Sequence, residues 1–169
     1  MSSSVNIHDV FIPLYLRALR NTSHILTKGI SHSTASGVPE SSVLSWRLAP
    51  DMNPLSFQVQ NICNIAQNLI VVVLGTPLPN NEVKGATVVD LQARLASTIK
   101  LLENTTREQF EGRDVATVTV RELGARMEGL EYVQEYGVPN FYFHVGMVYA
   151  LFRSNGAPIG KWDYLRGGN

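Results

Sequence analysis

The 169-residue sequence has little of what would link it to a polyanion or to an oxidising compartment. Its basic and acidic side chains balance to a formal net charge of zero, and only 17% of its residues are charged. This balance disfavours nucleic acids and anionic membranes as partners, because both are recognised by a basic surface. The single cysteine, Cys63, cannot form an internal disulfide, which is compatible with a reducing compartment.

Long hydrophobic runs and targeting signals are also missing. The longest aliphatic stretch runs from Leu69 to Leu74, far shorter than the roughly 20 residues of a membrane-spanning helix. The N-terminal segment has no basic residues before its apolar ones, and Arg17 and Arg20 interrupt the apolar run that a signal peptide would need. We therefore expect a cytoplasmic protein that does not enter a membrane.

Apolar residues recur at three- and four-residue spacings in four segments, which predicts four helices. These segments cover residues 7–26, 54–74, 88–102 and 140–154. Thr87 and Asp90 have the spacing of a capping box at the start of the third helix. Alternation from Val115 to Val120, followed by Gly124, predicts a small β-hairpin before the last helix. Length and short connections together predict a single all-α domain over residues 1–169, folded as an antiparallel four-helix bundle.

One histidine lies in the most apolar segment of the chain. The segment PNFYFHVGMVYALF, residues 139–152, carries His144, and apolar residues on every face of the predicted helix indicate that it is surrounded by protein. A buried imidazole requires a hydrogen-bonding neighbour or a wet cavity. Two interpretations stay open: a core histidine with satisfied hydrogen bonds, or an acid–base group that faces a second reactive residue.

The residue that the sequence offers as partner is Asp51. It precedes the second helix, and Gln58, about two turns later, shares its side of that helix with Leu55 and Ile62. A carboxylate opposite His144 would orient the ring and raise its pKa, which would give a general base near neutral pH. Asp51 would alternatively cap the N-terminus of the helix and take no part in chemistry.

Other catalytic chemistries find little support in the sequence. The four-residue neighbours of His144 are Asn140 and Val148, which are poor transition-metal ligands. Cys63 falls on the apolar stripe of the second helix, and no nucleophile elbow, phosphate loop or dinucleotide fingerprint occurs. We therefore expect neither a metal nor a cofactor. The remaining histidines have no regular pairing; they are His8, His24 and His32.

Three segments in order, RLAPDMNPLSFQVQ, PNFYFH and NGAPIGKWDYL, resemble the family called domain of unknown function 1993, a relative of the DinB-like four-helix bundles. The resemblance extends from about Ile7 to Leu165. It implies an up-and-down bundle with a cavity between the second and fourth helices. DinB-like relatives often hold a metal there with three histidines, and this sequence matches that pattern only at His144, with Asp51 near the position of the second-helix ligand.

Three functional hypotheses follow. The first is a metal-independent isomerase, lyase (dehydratase) or cyclase that acts on a small, largely apolar molecule between the second and fourth helices, with His144 as general acid or base and Asp51 as its orienting group. The second is a small-molecule-binding bundle without catalysis. The third is a degenerate DinB-like metal site at His144 and Asp51. We also expect a homodimer. The residues predicted to contact the ligand are Tyr15, Trp46, Gln58, Asn140, Tyr142, Met147 and Tyr149.

Overall fold

The computed structural model describes residues 6–77, 87–120 and 123–168, and it is mostly helical with a small two-stranded sheet. Four helices are long and the others are short. In chain order the elements are α1 (Ile7–Ala35), α2 (Glu40–Leu44), α3 (Leu55–Leu74), α4 (Val88–Glu103), a 3₁₀ turn (Arg107–Phe110), β1 (Thr117–Val120), β2 (Ala125–Glu128), α5 (Gly129–Glu131), a π-helical segment (Tyr132–Gly137), α6 (Val138–Ser154) and α7 (Lys161–Arg166).

Local sequence signals account for where most of these elements begin and end. The capping box at the start of α4 is confirmed, since Thr87 and Asp90 each bind the other's backbone N–H at 3.1 Å. The hairpin is confirmed as well, with β1 and β2 antiparallel. Gly75 ends α3 in the left-handed conformation, at a φ of 69° that glycine adopts without strain. Short α2 and α7 were not predicted, and α1 extends to Ala35, beyond the predicted segment 7–26.

The first and last long helices run parallel to each other. Near the beginning of both, the rings of Tyr15 and Phe141 pack with their centroids 4.3 Å apart. Near the end of both, Gly29 packs against Phe152 so closely that a Cβ at Gly29 would lie 2.1 Å from the ring. The first contact lies nearer the N-terminal end of both helices and the second nearer the C-terminal end of both. Helices α1 and α6 are therefore parallel neighbours.

The two middle helices, α3 and α4, are parallel as well. Asn64 accepts a hydrogen bond from Arg94. One turn later in both helices, Gln67 donates to the hydroxyl of Thr98 at 3.0 Å. The start of α4 therefore lies at the same end of the bundle as the start of α3.

The middle pair runs against the outer pair. Ser23 of α1 bonds to Gln92 near the start of α4, whereas Arg20, earlier in α1, bonds to Glu103 at the end of α4. The long helices thus run up, down, down and up, and the predicted up-and-down order is wrong. The long connections from α3 to α4 and from α4 to α6 permit this order, since neighbours in an up-and-down bundle are joined by short loops.

The centre of the protein is one connected cluster of buried apolar side chains contributed by all four long helices. Helix α3 supplies ten buried residues, and nine of them are apolar. Within the described parts of the chain it is the one helix long and apolar enough to cross a membrane, and half of its apolar window is buried inside the protein. The core helix of a soluble protein has the same properties.

Candidate functional site

His144 lies on α6 where this helix packs against α3, and its side chain bonds to two amides. The residue is 8% exposed, so its predicted burial is confirmed. Its Nδ1 is 2.6 Å from Oε1 of Gln58. Its Nε2 is 2.6 Å from Nδ2 of Asn61, one helical turn later on α3. Both ring nitrogens are therefore occupied by protein partners.

The orientation of Gln58 fixes the tautomer of the imidazole. Gln58 donates its amide hydrogen to the carbonyl of Asn53 at 2.9 Å, so its oxygen faces the ring. An oxygen only accepts, so Nδ1 of His144 carries the hydrogen and Nε2 accepts from Asn61. Burial lowers the pKa of His144, because removal of water disfavours the charged ring. The group is neutral at neutral pH.

Asp51 does not take the predicted position beside the ring. It is exposed in the turn before α3, and amides occupy both nitrogens of His144. The predicted raising of the histidine pKa is accordingly wrong. The helix begins at Leu55, so Asp51 precedes its first turn and does not share the helical face of Gln58. Asp51 does not cap α3 either, since Pro54 is the capping residue. Its catalytic role stays a prediction.

Two phenylalanines lie beside the imidazole at the surface. The ring of Phe143 meets His144 edge-on with centroids 5.1 Å apart, and Phe57 does so at 6.2 Å from α3. Both phenylalanines are exposed, Phe143 to 50%. Together with the two amides they surround the ring.

The donor set around His144 does not fit a metal ion. Its neighbours are two amides and two phenyl rings, and no group of three or more His, Cys, Asp or Glu side chains in metal-binding arrangement occurs in residues 6–77, 87–120 or 123–168. Cys63 is fully buried in the core, where burial raises the pKa of its thiol to about 11. A protonated thiol is a poor ligand and a poor nucleophile.

The predicted ligand contacts are scattered over several parts of the molecule. Tyr15 is fully buried and its hydroxyl has no hydrogen-bond partner among the described residues; burial raises its pKa. Trp46 packs edge-on against Phe152, with centroids 6.0 Å apart. Asn140 and Met147 are half-buried on α6. Among the described residues the ring of His144 bonds to Gln58 and Asn61 and to none of these four, and their binding roles stay predictions.

A pocket of about 640 Å³ lies on another side of α6, away from His144. Its walls are α1, α6 and α7. Tyr142, one of the predicted ligand contacts, lines it. Tyr149, another of them, lines a smaller adjoining hollow of about 360 Å³ that shares Tyr164 with the pocket. The remaining lining residues are Arg17, Ala18, Asn21, Val145, Trp162, Leu165 and Arg166.

A buried carboxylate holds the α7 wall of the pocket in place. Oδ1 of Asp163 accepts from Lys28 and from Nε2 of His24, each at 2.8 Å. Its Oδ2 accepts the backbone N–H of Gly160 at 2.7 Å, which caps α7. The hydrogen bond from Lys28, with that from Gly160, holds the pKa of Asp163 well below its usual range. His24 and Asp163 thus form a histidine–aspartate pair beside the pocket, which the sequence did not predict.

Two of the polar side chains in the pocket are neutral phenols. Burial raises the pKa of Tyr142, Tyr164 adds to this effect, and Arg17 opposes it. Burial likewise raises the pKa of Tyr164. Neither hydroxyl has a hydrogen-bond partner among the described residues, so both are free to donate to a ligand.

Comparisons with known proteins agree with the resemblance found in the sequence. The model of the family described as "Domain of unknown function (DUF1993)" matches residues 7–165. A crystal structure of a DinB family member protein from Shewanella denitrificans superposes with a TM-score of 0.87 at 28% identity, covering 94% of this chain and 91% of that one. No curated protein matches the sequence.

Proposed function

This chain belongs to the family described as domain of unknown function (DUF1993), and from its geometry we propose that it binds a small organic molecule in the pocket formed by α1, α6 and α7. The observation that carries the proposal is the 640 Å³ pocket itself. Its volume is within the range of about 300–1,000 Å³ that small-molecule sites occupy.

The character of the lining supports binding of a small molecule. Tyr142 and Tyr164 supply aromatic surface and free hydroxyls, and Ala18 and Val145 supply an apolar floor. Small-molecule sites combine apolar walls with a few polar groups that fix orientation. The wall formed by α7 is held by the buried carboxylate of Asp163, so contacts within the protein anchor this side of the pocket.

The acid–base hypothesis keeps His144 as its candidate base. A base needs a lone pair within reach of the substrate, and Nε2 of His144 faces Asn61 at 2.6 Å. Catalysis there would require the Asn61 amide to turn away. The test is turnover by His144→Ala and Asp51→Asn at a temperature at which both variants remain folded: loss of activity in both would favour catalysis over binding alone.

The two tryptophans of the chain provide a direct test of binding. Trp162 lines the pocket, whereas Trp46 packs against Phe152 in the core. In a fragment screen followed by protein NMR, binders should shift the indole N–H signal of Trp162 and leave that of Trp46 in place. The proposal fails if no fragment moves the Trp162 signal, or if binders move the signals of Trp46 and His144 instead.

Two other expectations from the sequence stay proposals: a cytoplasmic location and a homodimer. Exposed apolar side chains such as Phe143 and Trp162 are compatible with a second copy covering part of the surface. Light scattering coupled to gel filtration measures the mass directly. A monomer at every concentration tested would remove the homodimer from consideration.

A further inference from the structure

We infer that the ligand of the α1–α6–α7 pocket is an organic carboxylate with a flat, apolar body. This inference rests on the proposed function and adds the chemical class of the ligand. It is drawn from three features of the pocket: two guanidinium groups without ion-pair partners, no lining carboxylate, and aromatic walls.

The two guanidinium groups belong to Arg17 of α1 and Arg166 of α7, which line the pocket from two of its walls. Neither has an ion-pair partner among the described residues. By contrast, Arg20, three residues after Arg17, pairs with Glu103 at 2.6 Å, and Arg107 pairs with Asp9 at 2.9 Å. A guanidinium presents a planar set of donors that matches a carboxylate. The pocket therefore holds two unused anion-binding groups.

Negative charge does not offset these cations inside the pocket. No Asp or Glu is among its described lining residues. The carboxylate of Asp163, on the same short helix as Arg166, accepts from Lys28, His24 and the N–H of Gly160 instead. Because this charge is already compensated, the field inside the pocket is set by the two arginines and attracts an anion.

The walls favour a flat body behind the charged group. Trp162 lies under Arg166, with the guanidinium carbon 5.3 Å from the ring centroid, so the aromatic surface also orients the cation. Tyr142 and Tyr164 add two further rings, and Leu165 adds apolar surface. A volume of about 640 Å³ has space for a ring system as well as a carboxylate.

Three commercially available probes separate charge from flatness. Benzoate has both properties, benzamide keeps the ring without the charge, and cyclohexanecarboxylate keeps the charge without the flat ring. Dissociation constants are measured by protein NMR titration at low salt, with the Trp162 indole signal as the readout. Benzoate should bind about 10-fold or more tightly than benzamide, the effect of losing a charge-assisted hydrogen bond. It should also bind more tightly than cyclohexanecarboxylate.

Variants then identify the groups that recognise the anion. Arg17→Gln and Arg166→Gln should each weaken benzoate binding by about 10-fold or more and leave benzamide binding within a factor of about two. Arg126→Gln is the matched control, since it removes one positive charge from the exposed strand β2 without touching the pocket. It should change neither affinity beyond a factor of about two.

The outcomes distinguish this inference from the proposed function. Equal binding of benzoate and benzamide, or arginine variants that behave like Arg126→Gln, would overturn the carboxylate and leave small-molecule binding intact. Binding of neutral fragments with no response to benzoate would do the same. If no probe and no fragment moves the Trp162 signal, both the inference and the proposed function are wrong.

Discussion

Helix α6 separates two regions that differ in whether their polar side chains have partners within the protein. On the α3 side, His144 is neutral and both of its nitrogens are bonded to amides. On the α7 side, charged groups are numerous, and the guanidinium groups of Arg17 and Arg166 are without ion-pair partners among the described residues. In the first region the ring nitrogens have hydrogen-bond partners, whereas in the second region the two guanidinium groups have no ion-pair partner among the described residues.

This difference shows which kind of polar residue points to a ligand. Burial of an imidazole without partners costs free energy, so a buried histidine suggests a functional site. Here the hydrogen bonds to Gln58 and Asn61 compensate that cost. A binding site is instead recognised by groups that keep unused donors next to an open volume. The four predictions below test this contrast, in order of decreasing expected effect.

The largest effect is expected from His144→Ala. The substitution leaves Gln58 and Asn61 without their ring partner and creates a cavity between α3 and α6, so the free energy of unfolding should fall by roughly 2–4 kcal/mol. Urea denaturation measures it. His32→Ala, at a half-buried histidine, should stay within about 0.5 kcal/mol. Equal effects of the two substitutions would mean that the hydrogen bonds of His144 add no measurable free energy of unfolding.

The second prediction concerns the charged cluster that holds α7. Asp163→Asn removes the acceptor shared by Lys28 and His24 and should destabilise the α7 wall by about 1–3 kcal/mol, a figure kept low because both partners are partly exposed. Hydrogen exchange should speed up in α7 before it does in α3. The pKa of Asp163 is depressed in the folded protein, so this stabilisation is complete above pH 3.8, the ordinary value, and is lost as the pH falls below it.

The third prediction sharpens the contrast at a buried group that has no partner. The hydroxyl of Tyr15 is buried without a hydrogen bond among the described residues. Tyr15→Phe removes it at no loss of packing and should raise the free energy of unfolding by about 1 kcal/mol. Tyr149→Phe, at a half-buried tyrosine on α6, should change it by less than about 0.5 kcal/mol. A destabilised Tyr15→Phe would reveal a partner for that hydroxyl.

The smallest effect is a pH dependence assigned to His144. Its pKa is lowered from 6.5 in the folded protein, so the unfolded chain takes up a proton first as the pH falls. The contribution of His144 to stability is therefore complete above pH 6.5 and is lost progressively as the pH drops toward the folded pKa. The difference between the wild-type and His144→Gln stability curves isolates this term. A wild-type curve that is flatter than that of the variant would contradict the lowered pKa.

Local features of the fold were predictable because each depends on residues close together in sequence. The reciprocal cap of Thr87 and Asp90 and the alternation in β1 are of this kind, and so is the burial of His144 in an apolar helix. The direction of α4 was not predictable, since the local pattern of a helix carries no information on its direction relative to α3. The family resemblance was confirmed by the family model, which matches residues 7–165.

The candidate pocket was less accessible to prediction than the fold. Its wall depends on Asp163 meeting Lys28 and His24, which lie 135 and 139 residues away, and no local pattern reports such a contact. A signal was nevertheless present, since His24 and Lys28 are one helical turn apart on α1. Asn61 was missed for a similar reason: an amide on a helix rich in amides gives no hint of which one meets the ring.

The parallel pairing of α1 with α6 has a consequence for how the protein is made. The first long helix packs against α6 as well as α4, so the part of its apolar face that contacts α6 stays uncovered until α6 has been synthesised. Contacts of such high sequence separation slow folding and prolong the exposure of apolar surface. Chaperones that bind exposed apolar surface should therefore bind the nascent chain before α6 has been synthesised.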